Sequence, residues 1–141
     1  MDRRTLLQSL PVAALLPAAA FAEPAEAQSS TTVYELRVYH TNEGKLDDLL
    51  SRFRDHTMKL FEKHGIKNIA YWLPTDEPLK GKTLVYIIAH PSREAAAANW
   101  KAFIDDPEWQ SVRDKSEANG KLLEKIDSTF MTLTDFSPPL R

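Results

Sequence analysis

From Val33 to Thr41 the chain alternates, with Tyr34, Leu36 and Val38 on one side and Glu35, Arg37 and Tyr39 on the other. Immediately beyond Gly44 the period changes. Two-residue alternation describes a strand with one buried face, whereas steps of three and four describe an amphipathic helix. Leu46, Leu49, Leu50, Phe53, Thr57, Leu60, Phe61 and His64 recur at those steps, so residues 45–64 read as one helix of about five turns. Its opposite side carries Asp47, Asp48, Arg52, Asp55, Lys59, Glu62 and Lys63. Gly65 comes next, where a left-handed closing residue is wanted, with Ile66 as the hydrophobic contact after it.

The same reading continues to the end of the chain. Residues 66–73 form a second strand, residues 74–81 a polar, proline-bounded loop, and residues 82–90 a third strand with the apolar centre Leu84–Ala89. Ser92 caps a second helix whose apolar side is Ala95, Ala96, Trp100, Phe103 and Ile104. Asp106-Pro107-Glu108 starts another, with an acidic cap and proline at the first helical position, and Asn119-Gly120 ends it. Residues 122–134 alternate as a fourth strand, and Pro138-Pro139 stops regular structure. The order β-α-β-β-α-β predicts an α+β, ferredoxin-like domain: a four-stranded antiparallel sheet with helices on one face.

That arrangement leaves an apolar problem. Either Val85, Ile87 and Ala89 or Leu84, Tyr86 and Ile88 must lie on the uncovered face, beside Ile69, Tyr71 and Leu73 or Trp72. An exposed patch of that size is unusual on a monomer, so two copies are expected to face each other as a homodimer around a partly apolar cavity.

The N-terminus has a different character. Adjacent Arg3-Arg4 precede the uncharged run Leu10–Ala22, which ends in the small-x-small site Ala20-Phe21-Ala22 and is followed by a second, Ala25-Glu26-Ala27. This is the order of a signal peptide, twin-arginine-like in its first residues, with cleavage after Ala27 preferred to Ala22. The run is short of the ~20 residues a membrane span needs, and Pro11 and Pro17 interrupt it, so no stable span is expected after cleavage. The expected organisation is signal peptide 1–27, disordered leader 28–32 and domain 33–138, with a periplasmic or secreted product.

Composition excludes several functions. With 18 basic against 20 acidic residues the 141-residue chain lacks the basic footprint of a nucleic-acid binder. It has no cysteine, which removes disulfides, thiolate nucleophiles and Cys-ligated metals. No phosphate loop, nucleophile elbow, zinc-protease helix or calcium loop is present, and no motif specifies a metal or a cofactor.

Val33-Tyr34-Glu35-Leu36-Arg37-Val38-Tyr39, Phe53-Arg54-Asp55-His56-Thr57 with Leu60–Gly65, Tyr71-Trp72, Pro91–Glu94, Trp100–Phe103 and Asp106-Pro107-Glu108-Trp109 resemble the NIPSNAP family in order and spacing, as does Thr134–Pro138. The resemblance covers residues 33–138 and implies a dimeric α/β barrel. It implies no particular reaction, because related barrels include cofactor-free monooxygenases, isomerases, haem proteins and simple binders.

Candidate site residues emerge from the faces. If Leu36 and Val38 face the helices, Glu35, Arg37 and Tyr39 point into the cavity between sheets. There Glu35 would be a base, Arg37 would hold an anionic or carbonyl oxygen, and Tyr39 would orient a ring. The competing reading is a buried Glu–Arg pair that fixes dimer register. Tyr71 and Trp72 put one aromatic on each sheet face, one of them against a ligand. His56 lies at the edge of the helical stripe and is a weak catalytic or haem-ligand candidate. His64 reads as a helix-terminal histidine, Trp100 and Trp109 as core, and His40 and His90 as strand-end residues that meet at a rim. The leading expectation is a homodimer binding a small hydrophobic or aromatic molecule. The alternatives are a cofactor-independent monooxygenase or isomerase using Glu35, Arg37, Tyr39 and His56, and more weakly a haem-associated protein.

Overall fold

The computed structural model describes residues 31–140. The expected signal peptide and the first part of the expected leader therefore lie outside the described residues. The described residues form nine elements: β1 (Val33–Thr41), α1 (Leu46–Arg52), a π-helical turn (Phe53–Thr57), α2 (Met58–Lys63), β2 (Lys67–Trp72), β3 (Thr83–His90), α3 (Arg93–Asp105), α4 (Pro107–Ser116) and β4 (Leu123–Met131). The strands form one antiparallel sheet in the order β2-β3-β1-β4. This is the ferredoxin-like α+β arrangement that the alternating periods predict. Thr31, expected in a disordered leader, instead donates its hydroxyl to the Pro91 carbonyl at 2.8 Å. No helix among the described residues is long and apolar enough to cross a membrane.

Local chemistry sets the boundaries. The Ser92 hydroxyl accepts the Ala95 N–H, and the Asp106 carboxylate accepts the Glu108 N–H ahead of Pro107. Both caps satisfy helix-start donors that would otherwise lack partners. Beyond α2, the Ile66 N–H reaches the Phe61 carbonyl and the Gly65 N–H reaches Glu62, the paired bonds of a Schellman closure. Gly65 sits at φ +76, and Ile66 is fully buried behind it. His64 is indeed terminal, and its Nε2 lies 2.7 Å from the Asp106 carboxylate.

The core lies between the helices and one sheet face, built from Tyr39, Leu84, Tyr86 and Ile88 against Leu49, Phe53, Leu60, Phe61, Ile66 and Phe103. Tyr86, opposite Arg37 in the register, is its centre and stacks on Tyr71 with ring centroids 5.0 Å apart. The other sheet face presents Tyr34, Ile69, Ala70, Trp72, Ile87 and Met131, which line a pocket of about 460 Å³ together with the C-terminal segment. A bulge between Asn68 and Ala70 turns both Ile69 and Ala70 to this side.

Two expectations about the helices are corrected. Residues 45–64 do not form one uninterrupted α-helix, because Phe53–Thr57 widens into a π turn in which the Met58 N–H bonds to the Phe53 carbonyl. The Thr57 hydroxyl donates to the Arg52 carbonyl at 3.3 Å and supports the widened turn from inside. The last helix closes at Ser116, ahead of Asn119-Gly120.

Replacing Gly65 by alanine forces a left-handed residue to carry a Cβ that would lie 2.8 Å from the Asn99 side-chain nitrogen. The expected cost is about 1–2 kcal/mol, chiefly backbone because Asn99 can yield, read as a lowered urea midpoint with an unchanged slope.

Candidate functional site

Between sheet and helices the core leaves a cavity of about 380 Å³. Arg37 and Tyr39 form its sheet side, with Leu123 and Ile126 of β4 at one edge. Arg52, Phe53, Thr57 and Phe61 come from the first helical segment, Trp100, Phe103 and Ile104 from α3, and Trp109, Arg113 and Glu117 from α4 and the residue after it. Ile104 and Ile126 are 52% and 44% exposed, so the cavity reaches solvent beside α3 and β4. α4 fully buries none of its own residues and covers this space through Trp109 and Val112, which pack against the core from its rim.

Glu35, Arg37 and Tyr39 thus share one strand face, but it is the helix face. The condition on which the sequence placed them between two sheets is reversed: Tyr34, Leu36, Val38 and His40 point to the open side. The reason is size and chemistry. Tyr39 makes edge contacts with Phe53 and Tyr86, and the Glu35–Arg37 pair finds its partners only on the helix side.

Glu35 is 1% exposed, and its carboxylate accepts four hydrogen bonds. The donors are Arg37 Nη1 at 2.5 Å, His90 Nε2 at 2.9 Å, Trp100 Nε1 at 2.7 Å and Ser128 Oγ at 2.7 Å. Burial by itself would push the carboxyl upward. The bonds from His90, Trp100, Ser128 and Arg37 overcome that and hold its pKa down at about 2. Such a carboxylate is an anchor with no capacity left to take a proton at neutral pH. The ion pair with Arg37 lies within one chain rather than across a dimer.

Arg37 is held equally firmly. Its Nε donates to the Tyr86 hydroxyl at 3.0 Å and its Nη2 to the Tyr39 hydroxyl at 3.1 Å, while the guanidinium carbon stands 4.3 Å from the Trp100 ring centre. Burial opposes its charge, but the facing tyrosines and Glu35 outweigh burial and raise its pKa. A guanidinium carries five N–H groups, and these side-chain bonds use one on each nitrogen, leaving donors for a ligand oxygen.

The remaining candidates separate. Tyr71 is on the helix face behind Tyr86, where burial pushes its phenol well up, and its hydroxyl donates to Asn68. Trp72 is on the opposite face and 50% exposed, so it cannot share a site with Arg37 and Tyr39. His56 lies in a groove on the outer side of the helices with Asp55, Ser111 and Lys115, away from the cavity. Thr57 stays on the buried side through the π turn, and His56, one position before it, faces outward. His40 and His90 do not meet: antiparallel pairing places His40 beside Thr83, at the other end of β3. His40 pairs with Asp127 and His90 with Glu35.

Sequence reasoning missed three wall residues. Trp100 and Trp109 are half-buried cavity walls rather than core. Arg52, assigned to the charged outer side, is only 5% exposed because α4 docks over that flank. A basic residue one position before the apolar Phe53 was the available signal.

A ferredoxin-like α+β domain enclosing an aromatic cavity between sheet and helices is the class that this geometry defines. Residues 34–138 match the NIPSNAP family model, and the chain belongs to that family. No curated protein matches by sequence. Among solved structures, the chain is similar to a NIPSNAP-like domain protein from Burkholderia xenovorans (TM-score 0.68, 20% identity, covering 80% of this chain and 94% of that one). It is also similar to a NIPSNAP family protein of unknown function from Agrobacterium tumefaciens (0.65, 23%, 78% and 94%). A candidate antibiotic biosynthesis monooxygenase from Nitrosomonas europaea shares the fold more distantly (0.50, 15%, 71% and 96%).

Because the Glu35 pKa is lowered in the folded state, its stabilising contribution is complete above the ordinary value of 4.5 and disappears as pH falls through about 2. Glu35→Gln is expected to cost about 3–5 kcal/mol at pH 7, since it leaves Arg37 buried beside a neutral amide. In urea titrations at pH 7, 4 and 2.5 the gap between the two proteins should narrow steadily with acidification. A gap independent of pH would show that Glu35 is not held ionised.

Proposed function

We propose that this protein is exported behind a twin-arginine-like signal peptide spanning residues 1–27, acts as a homodimer, and binds a small planar aromatic molecule in the cavity between its sheet and helices. The observation that carries the binding reading is the cavity itself. Its volume of about 380 Å³ falls within the ~300–1,000 Å³ of small-molecule sites, and its walls combine Phe53, Trp100 and Trp109 with the fixed donors of Arg37. This moves the expected ligand from between two sheets to the helix side of one chain, where the polar and aromatic groups converge.

Dimerisation is supported by the open sheet face. Ile69, Ala70, Ile87 and the half-exposed Trp72 form an apolar surface that a second copy would cover. Export rests on the sequence of residues 1–27 alone. Binding without catalysis is favoured because Glu35 is saturated with donors. The monooxygenase or isomerase reading draws only on the shared fold with the Nitrosomonas europaea protein, and would have to use Arg37 and Tyr39 without Glu35 as base.

Native mass spectrometry of protein recovered from the periplasm is expected to show a dimer of chains beginning at Gln28; monomers, or chains retaining Arg3-Arg4, would count against those parts of the reading. Ile104→Trp, which fills the cavity mouth, should weaken binding of a planar probe such as 2-naphthol at least tenfold in calorimetric titration and leave the dimer intact. Unchanged affinity would place the ligand elsewhere.

A further inference from the structure

Three guanidiniums line the same cavity. Arg113 is partly exposed and pairs with Asp114 at 3.1 Å, and the surroundings of the other two differ sharply. Arg37 has a carboxylate at 2.5 Å, two phenolic acceptors and an indole face. Arg52 is equally removed from water but poorly matched. Its Nη1 donates to the Ser116 hydroxyl at 3.2 Å and reaches Glu117 only at 3.5 Å, the outer limit of a hydrogen bond. Its Nε is buried with no partner, and the Trp109 ring centre is 5.1 Å from its guanidinium carbon. Burial dominates and lowers the Arg52 pKa, whereas that of Arg37 is raised.

A buried cation with one neutral hydrogen bond and a single long contact to a carboxylate is under-compensated relative to a closed bidentate pair. An orphaned buried donor of this kind ordinarily marks a missing partner. Arg52 also sits at the junction of α1 with the π turn, and its own carbonyl is taken by Thr57 Oγ1, so the backbone there is fixed. Glu117 borders the same cavity and comes directly after α4, which fully buries none of its residues. Glu117 can therefore yield its place without disturbing the core. Glu35 already neutralises Arg37 and Asp114 pairs with Arg113, so the least compensated buried charge bordering the cavity belongs to Arg52.

We propose that Arg52 is the anion-recognising residue of this cavity and that the ligand is a planar aromatic carboxylate whose carboxyl group pairs with the Arg52 guanidinium in place of Glu117. This rests on the cavity reading above and narrows it from any small aromatic molecule to an acid. The planar fork of a guanidinium matches the planar carboxylate, and Trp109 would flank the pair.

The test uses two probes of one shape, 2-naphthoate and 2-naphthalenemethanol, titrated calorimetrically into the full-length protein. The wild type should prefer the carboxylate by about tenfold or more. In Arg52→Gln the preference should collapse to within about twofold, with affinity for the alcohol unchanged, whereas a merely structural role would weaken both probes together. Arg52→Lys keeps a charge but loses the fork and should cut the preference several-fold, which serves if the Gln variant does not fold. Equal binding of both probes by the wild type overturns the inference and leaves the cavity reading standing. So does a carboxylate preference that survives in either variant, since the neighbouring Arg113 would then supply the charge. Binding of neither probe overturns the cavity reading itself.

Discussion

The Glu35 carboxylate collects donors from four directions: Arg37 along β1, His90 at the end of β3, Ser128 on β4 and Trp100 on α3. A buried charge that lost those partners would cost several kcal/mol, so each of the four elements is held where its donor reaches the carboxylate. The consequence extends beyond stability. Anchoring Arg37 and the Trp100 indole fixes one wall of the cavity before any ligand arrives, and preorganised donors bind without an ordering cost. The ion pair therefore links the sheet to α3 and sets the site with the same bonds.

Opposite that fixed wall the structure is less constrained. The π turn at Phe53–Thr57 interrupts the first helix where it borders the cavity, and α4 spans the space on its cap and on the half-buried Trp109 and Val112, with no fully buried residue of its own. Widened turns are costly in regular helices and recur where a side chain must be re-aimed. Here Phe53 and Thr57 of the turn line the cavity, His56 lies in the outer groove, and Arg52 just before the turn lies beneath α4. One wall is thus rigid through hydrogen bonds, and the other is shaped by a helix irregularity and a lightly held cover.

Much of the fold was legible because it depends on neighbours in sequence. Alternation in Val33–Thr41, the closing Gly65-Ile66, the Ser92 cap and the Asp106-Pro107 start are all local features, and each lies where its chemistry requires. The candidate site was legible in part. Glu35, Arg37 and Tyr39 do share a face, since a strand's two-residue period admits no other outcome. Which face that is cannot be read from alternation, because Leu36 and Tyr39 are both acceptable core residues. Which of Tyr71 and Trp72 faces the helices was open for the same reason, and His40 parts from His90 because antiparallel register sends strand ends apart.

By itself the sequence determined the element order, the helix limits set by caps, the pairing of Glu35 with Arg37 on one face, and the family to which residues 34–138 belong. Those properties arise from periodicity and short-range hydrogen bonding, which a linear chain carries explicitly. Only the tertiary structure decided that the polar face turns toward the helices, that Trp100 and Trp109 become cavity walls, and that Arg52 is buried. Each of these depends on residues far apart in the chain meeting in three dimensions: Glu35 with Trp100, and Arg52 with Ser116. Burial and charge compensation are properties of such contacts, so no local pattern announces them.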